Sequence, residues 1–197
     1  MARYMPKEVA DRLLEDGESA LGGALQETTI LFSDIRSFTS LSESMTPEEN
    51  FKFVNSYLSK MGPLVREHNG YIDKYIGDAI MALFERSPED AVRTSIMMLK
   101  TLREYNEGRE RAGYEQIQIG VGVNTGMMIL GTLGEADRME GSVISDAVNQ
   151  AARLEGLTKL YKTPLLISET TMNQLTPEAF QTRLIDRVAV KGKKDPV

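Results

Sequence analysis

Apolar positions along the chain recur with two different periods, and the points where the period changes divide it into elements. Residues 6–16, PKEVADRLLED, carry Val9, Leu13 and Leu14 at helical spacing behind an early proline, which predicts a short helix. The glycine-rich GESALGGALQE that follows reads as an incoming linker. Residues 1–26 are therefore expected to lead in from an upstream regulatory region, and 27–197 to form the main domain. TTILFSDI (28–35) is a continuous apolar run that stops at Ser33 and Asp34, the pattern of a buried strand. From Thr46, Pro47 and Glu49 supply helix-start signals, and apolar residues at 51, 54, 58, 61 and 65 predict a long amphipathic helix with Pro63 as a kink point. Tyr71 to Ile76 and Ala79 to Phe84 flank Gly77-Asp78 as a hairpin, with strict alternation placing Lys74 on the face opposite Asp73 and Tyr75.

A second long helix opens at Ser87, with Glu89 and Asp90 in its first turn. QIQIGVGVN and MMILGTLG flank Thr125-Gly126 and predict a second hairpin. A shorter helix, SDAVNQAARLEGL, is capped by Ser145 or Asp146, and PLLISE, ETTMNQLT and RLIDRVAVKGK read as strand, short helix and strand. The order β, α, β, β, α, β, then further α and β, predicts an α+β sandwich with helices on one face of a mainly antiparallel sheet.

Composition narrows the function classes. The 197 residues are 41% hydrophobic and 26% charged, the balance of one globular domain. A net charge of −6 argues against nucleic acid as a partner, because such a surface needs a basic face. With no cysteine there is no thiol catalysis and no zinc-thiolate site, which suits a cytoplasmic setting, and the single histidine, His68, excludes a multi-histidine metal site. No apolar run approaches the roughly 18 residues of a membrane span, so no membrane contact is expected of this stretch. The methionines of SIMMLK and MMIL read as packing residues.

Four places could carry chemistry. Asp34, at the carboxyl end of a strand, is followed by the turn Ser37-Phe38-Thr39, so a carboxylate suited to Mg²⁺ or Mn²⁺ lies beside backbone amides suited to phosphate; the same Asp could serve only as a helix cap. Asp78 lies in an ordinary Gly-Asp turn, yet if the strands pair side by side the two carboxylates can hold a pair of divalent ions. Asn149 and Arg153 share one helix face, an amide and a fixed cation suited to a sugar oxygen and a phosphate, or simply a solvated face on which Arg153 pairs with Glu155. Lys191, Lys193 and Lys194 are either a solubilising tail or neutralising charges for a triphosphate. GVGVNTG has the spacing G-x-G-x-x-x-G followed by a strand, which rules out a dinucleotide-binding loop.

Taken together, ILFSDIRSFTSLSE, GYIDKYIGDAIMALF, IGVGVNTG, SVISDAVNQAARLE and the closing VKGK resemble the catalytic domain of class III nucleotidyl cyclases, over essentially residues 27–197. The resemblance implies a ferredoxin-like βαββαβ core with added elements, working as a head-to-tail homodimer with active sites at the interface. It implies an adenylate cyclase, a phosphorus-oxygen lyase that converts ATP to 3′,5′-cyclic AMP and pyrophosphate by in-line attack of the ribose 3′-oxygen on the α-phosphate. By the same resemblance Asp34, Asp78 and the Ile35 carbonyl bind two Mg²⁺ or Mn²⁺ ions per site, while Phe38 and Thr39 lie in the phosphate turn. Lys74 and Ser142 read the base, Asn149 and Arg153 orient the ribose and stabilise the transition state, and Lys191 contacts the terminal phosphates. Lysine only donates and serine donates or accepts, which suits adenine; relatives with Lys and Thr here are ATP cyclases. Two departures stand out: Ser142 in place of Thr, and Gly120 where some members carry a phosphate-binding Arg. A guanylate cyclase and a non-catalytic nucleotide-sensing dimerisation module are the alternatives.

Overall fold

A computed structural model describes residues 24–135 and 138–188, with the backbone alone at Ala24, 130–135 and 138–144. The elements run β1 (Ala24–Ile35), α1 (Phe38–Glu43), α2 (Pro47–Glu67), β2 (Tyr71–Ile76), β3 (Ala79–Phe84), α3 (Pro88–Arg111), β4 (Ile119–Glu135), β5 (Arg138–Ile144), α4 (Asp146–Leu160), β6 (Leu165–Ile167) and α5 (Glu169–Met172). Local chemistry explains the helix starts. Thr46 and Glu49 form a reciprocal capping box at α2, and Ser87, Ser145 and Ser168 each accept from a backbone N–H at the next helices. Helix α2 runs through Pro63 to its C-cap His68, whose Nδ1 donates to the Leu64 carbonyl at 2.9 Å.

The six-stranded sheet has the order β2-β3-β1-β4-β5, with β6 beside β4. Each neighbour on that path is antiparallel, so β1 and β2 run parallel with β3 inserted between them, which is the ferredoxin-like arrangement. The outer edge of β4 is divided, parallel to β6 at Val121–Val123 and antiparallel to β5 from Ile129 onward.

Alternation sorts the strands into two faces. Leu31, Ile35, Ile80, Ala82, Phe84, Ile119, Val121 and Val123 pack against Phe53, Tyr57, Met61 and Val65 of α2 and Met98 and Leu102 of α3. Ile30, Met81, Leu83 and Met128 point the other way, against Ala147 and Ala151 of α4. Helices therefore cover both faces, not one: the two long helices lie together, and α4 crosses the opposite side. Glycines admit it. A Cβ at Gly122 would lie 2.3 Å from the Ala151 carbonyl oxygen, and one at Gly126 would lie 3.0 Å from the Ala147 Cβ.

This corrects the expected second hairpin. Thr125 and Gly126 are not a turn; they pair with Thr29 and Thr28 inside a single strand that continues to Glu135. The glycine is there for helix contact rather than for a reversal, and the actual partner strand, β5, begins at Arg138. Met98 and Met128 are buried as expected, whereas Met127 is 52% exposed. The predicted helix 6–16, Lys191, Lys193 and Lys194 lie outside the described residues, and residues 183–188 join no strand ladder among the described residues.

Candidate active site

The end of β1 and the β2–β3 turn bring Asp34, Ile35 and Asp78 together. Asp78 is 8% exposed, and its Oδ2 accepts from the Ile35 backbone N–H at 3.0 Å. Asp34 pairs in register with Gly120 and so points to the α4 side of the sheet. Burial, a hydrogen bond with Asp78 and the negative charges of Asp78 and Glu155 push the Asp34 carboxyl up to about 7. Two carboxylates this close repel one another when both are ionised, and a divalent cation is the counter-charge such oxygen donors take. The donor set thus fits a divalent metal.

Glu155 and Arg36 surround this pair, and neither stood out in the sequence. Glu155 is raised by burial first and by Asp78, with Arg36 pulling the other way. Arg36 donates through Nη2 to the carbonyls of Thr158 (3.2 Å) and Thr163 (2.9 Å), tying the end of β1 to the end of α4. A Cβ at Gly120 would lie 2.3 Å from Glu155 Oε1 and 2.4 Å from Thr158 Oγ1. The space a side chain would take at Gly120 is filled by α4 of the same chain. The available signal was Gly120 itself, a residue without a side chain in an apolar strand.

Phe38 and Thr39 open α1 behind Ser37, which takes φ 56° and makes no side-chain cap, so the first-turn amides keep no internal side-chain acceptor there. The Phe38 ring stacks on Phe53 at 6.4 Å and anchors the turn. Asn149 and Arg153 are both exposed on α4, whose buried side is Ala147, Ala151, Leu154 and Thr158. Arg153 forms no ion pair among the described residues, so the expected surface pairing with Glu155 is absent. Glu155 turns inward instead.

Lys74 departs from strict alternation. The β2–β3 register shifts between Ile72 and Lys74, so Ile72 faces Ala82, Lys74 faces Met81, and Asp73 is the extra residue of a bulge. Lys74 thereby joins the Met81 face, the side to which Asp34 points, while Tyr75 faces Ile80 on the other. Lys74 Nζ lies 3.3 Å from Asp73 Oδ2. Ser142 is in β5 opposite Gly131, where the backbone alone is described. Asp34, Ile35, Asp78, Phe38 and Thr39 therefore sit at one end of the sheet, and Asn149 and Arg153 face outward from α4.

The α+β sheet of ferredoxin-like order thus carries a carboxylate pair at one end, and the helix that covers one face displays an amide and a guanidinium outward. The family model for the adenylate and guanylate cyclase catalytic domain matches residues 23–197, and the chain belongs to that family. It is 43% identical to an adenylate cyclase of Anabaena cylindrica, over 99% of this chain and 41% of that protein. Among solved structures it resembles the guanylyl cyclase Cya2 (TM-score 0.79, 35% identity, 89% of this chain and 90% of that one). It also resembles the adenylyl cyclase CyaB from P. aeruginosa (TM-score 0.80, 31% identity, 89% and 93%). The chain spans about two fifths of the length of the Anabaena relative. No helix among the described residues is long and apolar enough to cross a membrane.

Proposed function

We propose that this domain converts ATP to 3′,5′-cyclic AMP and pyrophosphate at sites formed between two copies of the chain. The observation that carries the reading is the Asp34–Asp78 pair, a closely spaced set of carboxylates at one end of the sheet. Asp34, Asp78 and the Ile35 carbonyl would hold two Mg²⁺ or Mn²⁺ ions, which supply the Lewis acidity that makes the 3′-hydroxyl a nucleophile and neutralise the triphosphate. The turn at Phe38 and Thr39 offers backbone N–H groups to phosphate oxygens. Asn149 and Arg153 point away from their own chain's carboxylates and are free to reach a partner's, Asn149 binding the ribose and Arg153 the charge that develops on the phosphoryl oxygens. Lys74 and Ser142 read the base, and Lys191 meets the terminal phosphates.

Lys74, a donor, matches the ring-nitrogen acceptor of adenine, and the 43% identical relative is named an adenylate cyclase. The likeness to Cya2 keeps GTP as the second reading. Turnover of ATP against GTP, with Mg²⁺ and with Mn²⁺, at several protein concentrations separates them. ATP preference with specific activity rising with concentration is expected; GTP preference overturns the substrate, and turnover independent of concentration overturns the shared site. Lys74→Glu with Ser142→Cys is expected to shift preference toward GTP. Residues 1–26 are proposed to connect the domain to an upstream regulatory region in the cytoplasm.

A further inference from the structure

Asp73 is a buried carboxylate in a strand whose partners are apolar. Its side chain is 6% exposed while that of Lys74 is 45% exposed, and Asp73 Oδ2 accepts no aligned hydrogen bond among the described residues. Burying a carboxylate is unfavourable unless a cation lies beside it, and the Lys74 ammonium at 3.3 Å is that cation. Burial still pushes the Asp73 carboxyl above its usual range, against the pull of Lys74. The bulge explains how adjacent residues meet. Without it Lys74 would oppose Ile80 and enter the apolar layer beneath α2; with it Lys74 opposes Met81 on the Asp34 side.

We propose that Asp73 is the positioning residue for base recognition, its buried carboxylate fixing the Lys74 ammonium so that the remaining N–H donors face a purine ring-nitrogen acceptor. This rests on the base-reading role of Lys74 given above. A lysine head on a four-carbon stem samples many positions, and a fixed carboxylate on one side removes most of them. An ammonium carries three donors, so one can engage Asp73 and two remain for the base. Because those groups only donate, the arrangement favours adenine, whose N1 accepts, over guanine, whose N1 carries a proton. The preference for adenine is thus set by a residue that does not touch the nucleotide.

The test measures ATP-over-GTP preference in the wild type, Asp73→Asn, Lys74→Met and the double variant. Preference is read both from kcat/KM and from binding of the non-cyclising 3′-deoxy-ATP and 3′-deoxy-GTP. Asp73→Asn is expected to lower the preference about tenfold, equal to about 1.4 kcal/mol, through KM more than kcat. Lys74→Met is expected to lower it at least as far, and adding Asp73→Asn to Lys74→Met to lower it no further. Unchanged preference in Asp73→Asn, when Lys74→Met loses it, overturns the proposal; so does a further loss in the double variant. Unchanged preference in Lys74→Met instead overturns the base-reading role itself, and this inference with it. If Asp73→Asn does not fold, Asp73→Glu keeps the charge and displaces it, and is expected to lose about threefold; wild-type preference there has the same negative meaning.

Discussion

Asp34 lies within hydrogen-bonding reach of Asp78, and that contact with burial raises it to about 7. An acid whose folded-state pKa exceeds its unfolded value stabilises the fold fully below the unfolded value and loses that contribution as pH rises through the folded one. In chelator, therefore, the protein is expected to lose Tm between about pH 4 and about pH 7 through this group, and Mn²⁺ added at the upper end to restore it. Asp34→Asn should flatten that dependence while reducing cyclase turnover by about 100-fold or more, and thermal unfolding with a turnover assay reads both. A variant that keeps wild-type turnover would remove Asp34 from the metal site. Asp34 was legible in the sequence because it closes an apolar run with a charge, whereas Asp78, in an ordinary Gly-Asp turn, drew notice only through the side-by-side pairing of β1 with β3. Asp73 was not legible. A one-residue bulge leaves no mark in an alternating pattern, and strict alternation placed Lys74 and Asp73 on opposite faces where the structure puts them in contact.

At the scale of elements, two glycine positions should behave in opposite ways: Gly122 of β4, under α4, and Gly108 of α3. A methyl group at Gly122 would lie 2.3 Å from the backbone nitrogen of Glu155 as well as from the Ala151 carbonyl, and backbone cannot swing aside. Gly122→Ala is expected to cost about 3 kcal/mol or more and to displace α4, with loss of turnover following from Asn149 and Arg153 moving with it. Gly108, inside α3, has nothing within 4 Å, so Gly108→Ala should add about 0.5–1 kcal/mol through helix propensity alone. Chemical denaturation of the two variants checks the contrast. The long helices and the first hairpin were readable because caps, periodicity and a Gly-Asp turn are local signals. The second hairpin was misplaced since Thr-Gly signals a turn locally, and only the packing of a later helix shows that Gly126 serves a close approach.

For the molecule as a whole, the order of elements predicted an α+β sandwich with a mainly antiparallel sheet, and the family resemblance implied the ferredoxin-like order that the sheet has. That α4 crosses the other face did not follow, since nothing local says which side a helix takes. Its placement yields a prediction for the assembled protein. If Asp34 serves a site completed by the partner's Arg153, Asp34→Ala and Arg153→Ala are each inactive alone, but an equal mixture should recover about a quarter of wild-type turnover, half the dimers carrying one intact site of two. No recovery after subunit exchange would place both residues in one chain's site. The glycine seam under α4 has a last consequence for motion. Contact made backbone to backbone at Gly122, flanked by the short Ala147 side chain at Gly126, leaves little that can rearrange and couples the two elements with little slack. The amides of Gly120–Gly126 and of α4 should therefore exchange with deuterium as one unit, so that whatever loosens the strand also releases the helix displaying Asn149 and Arg153.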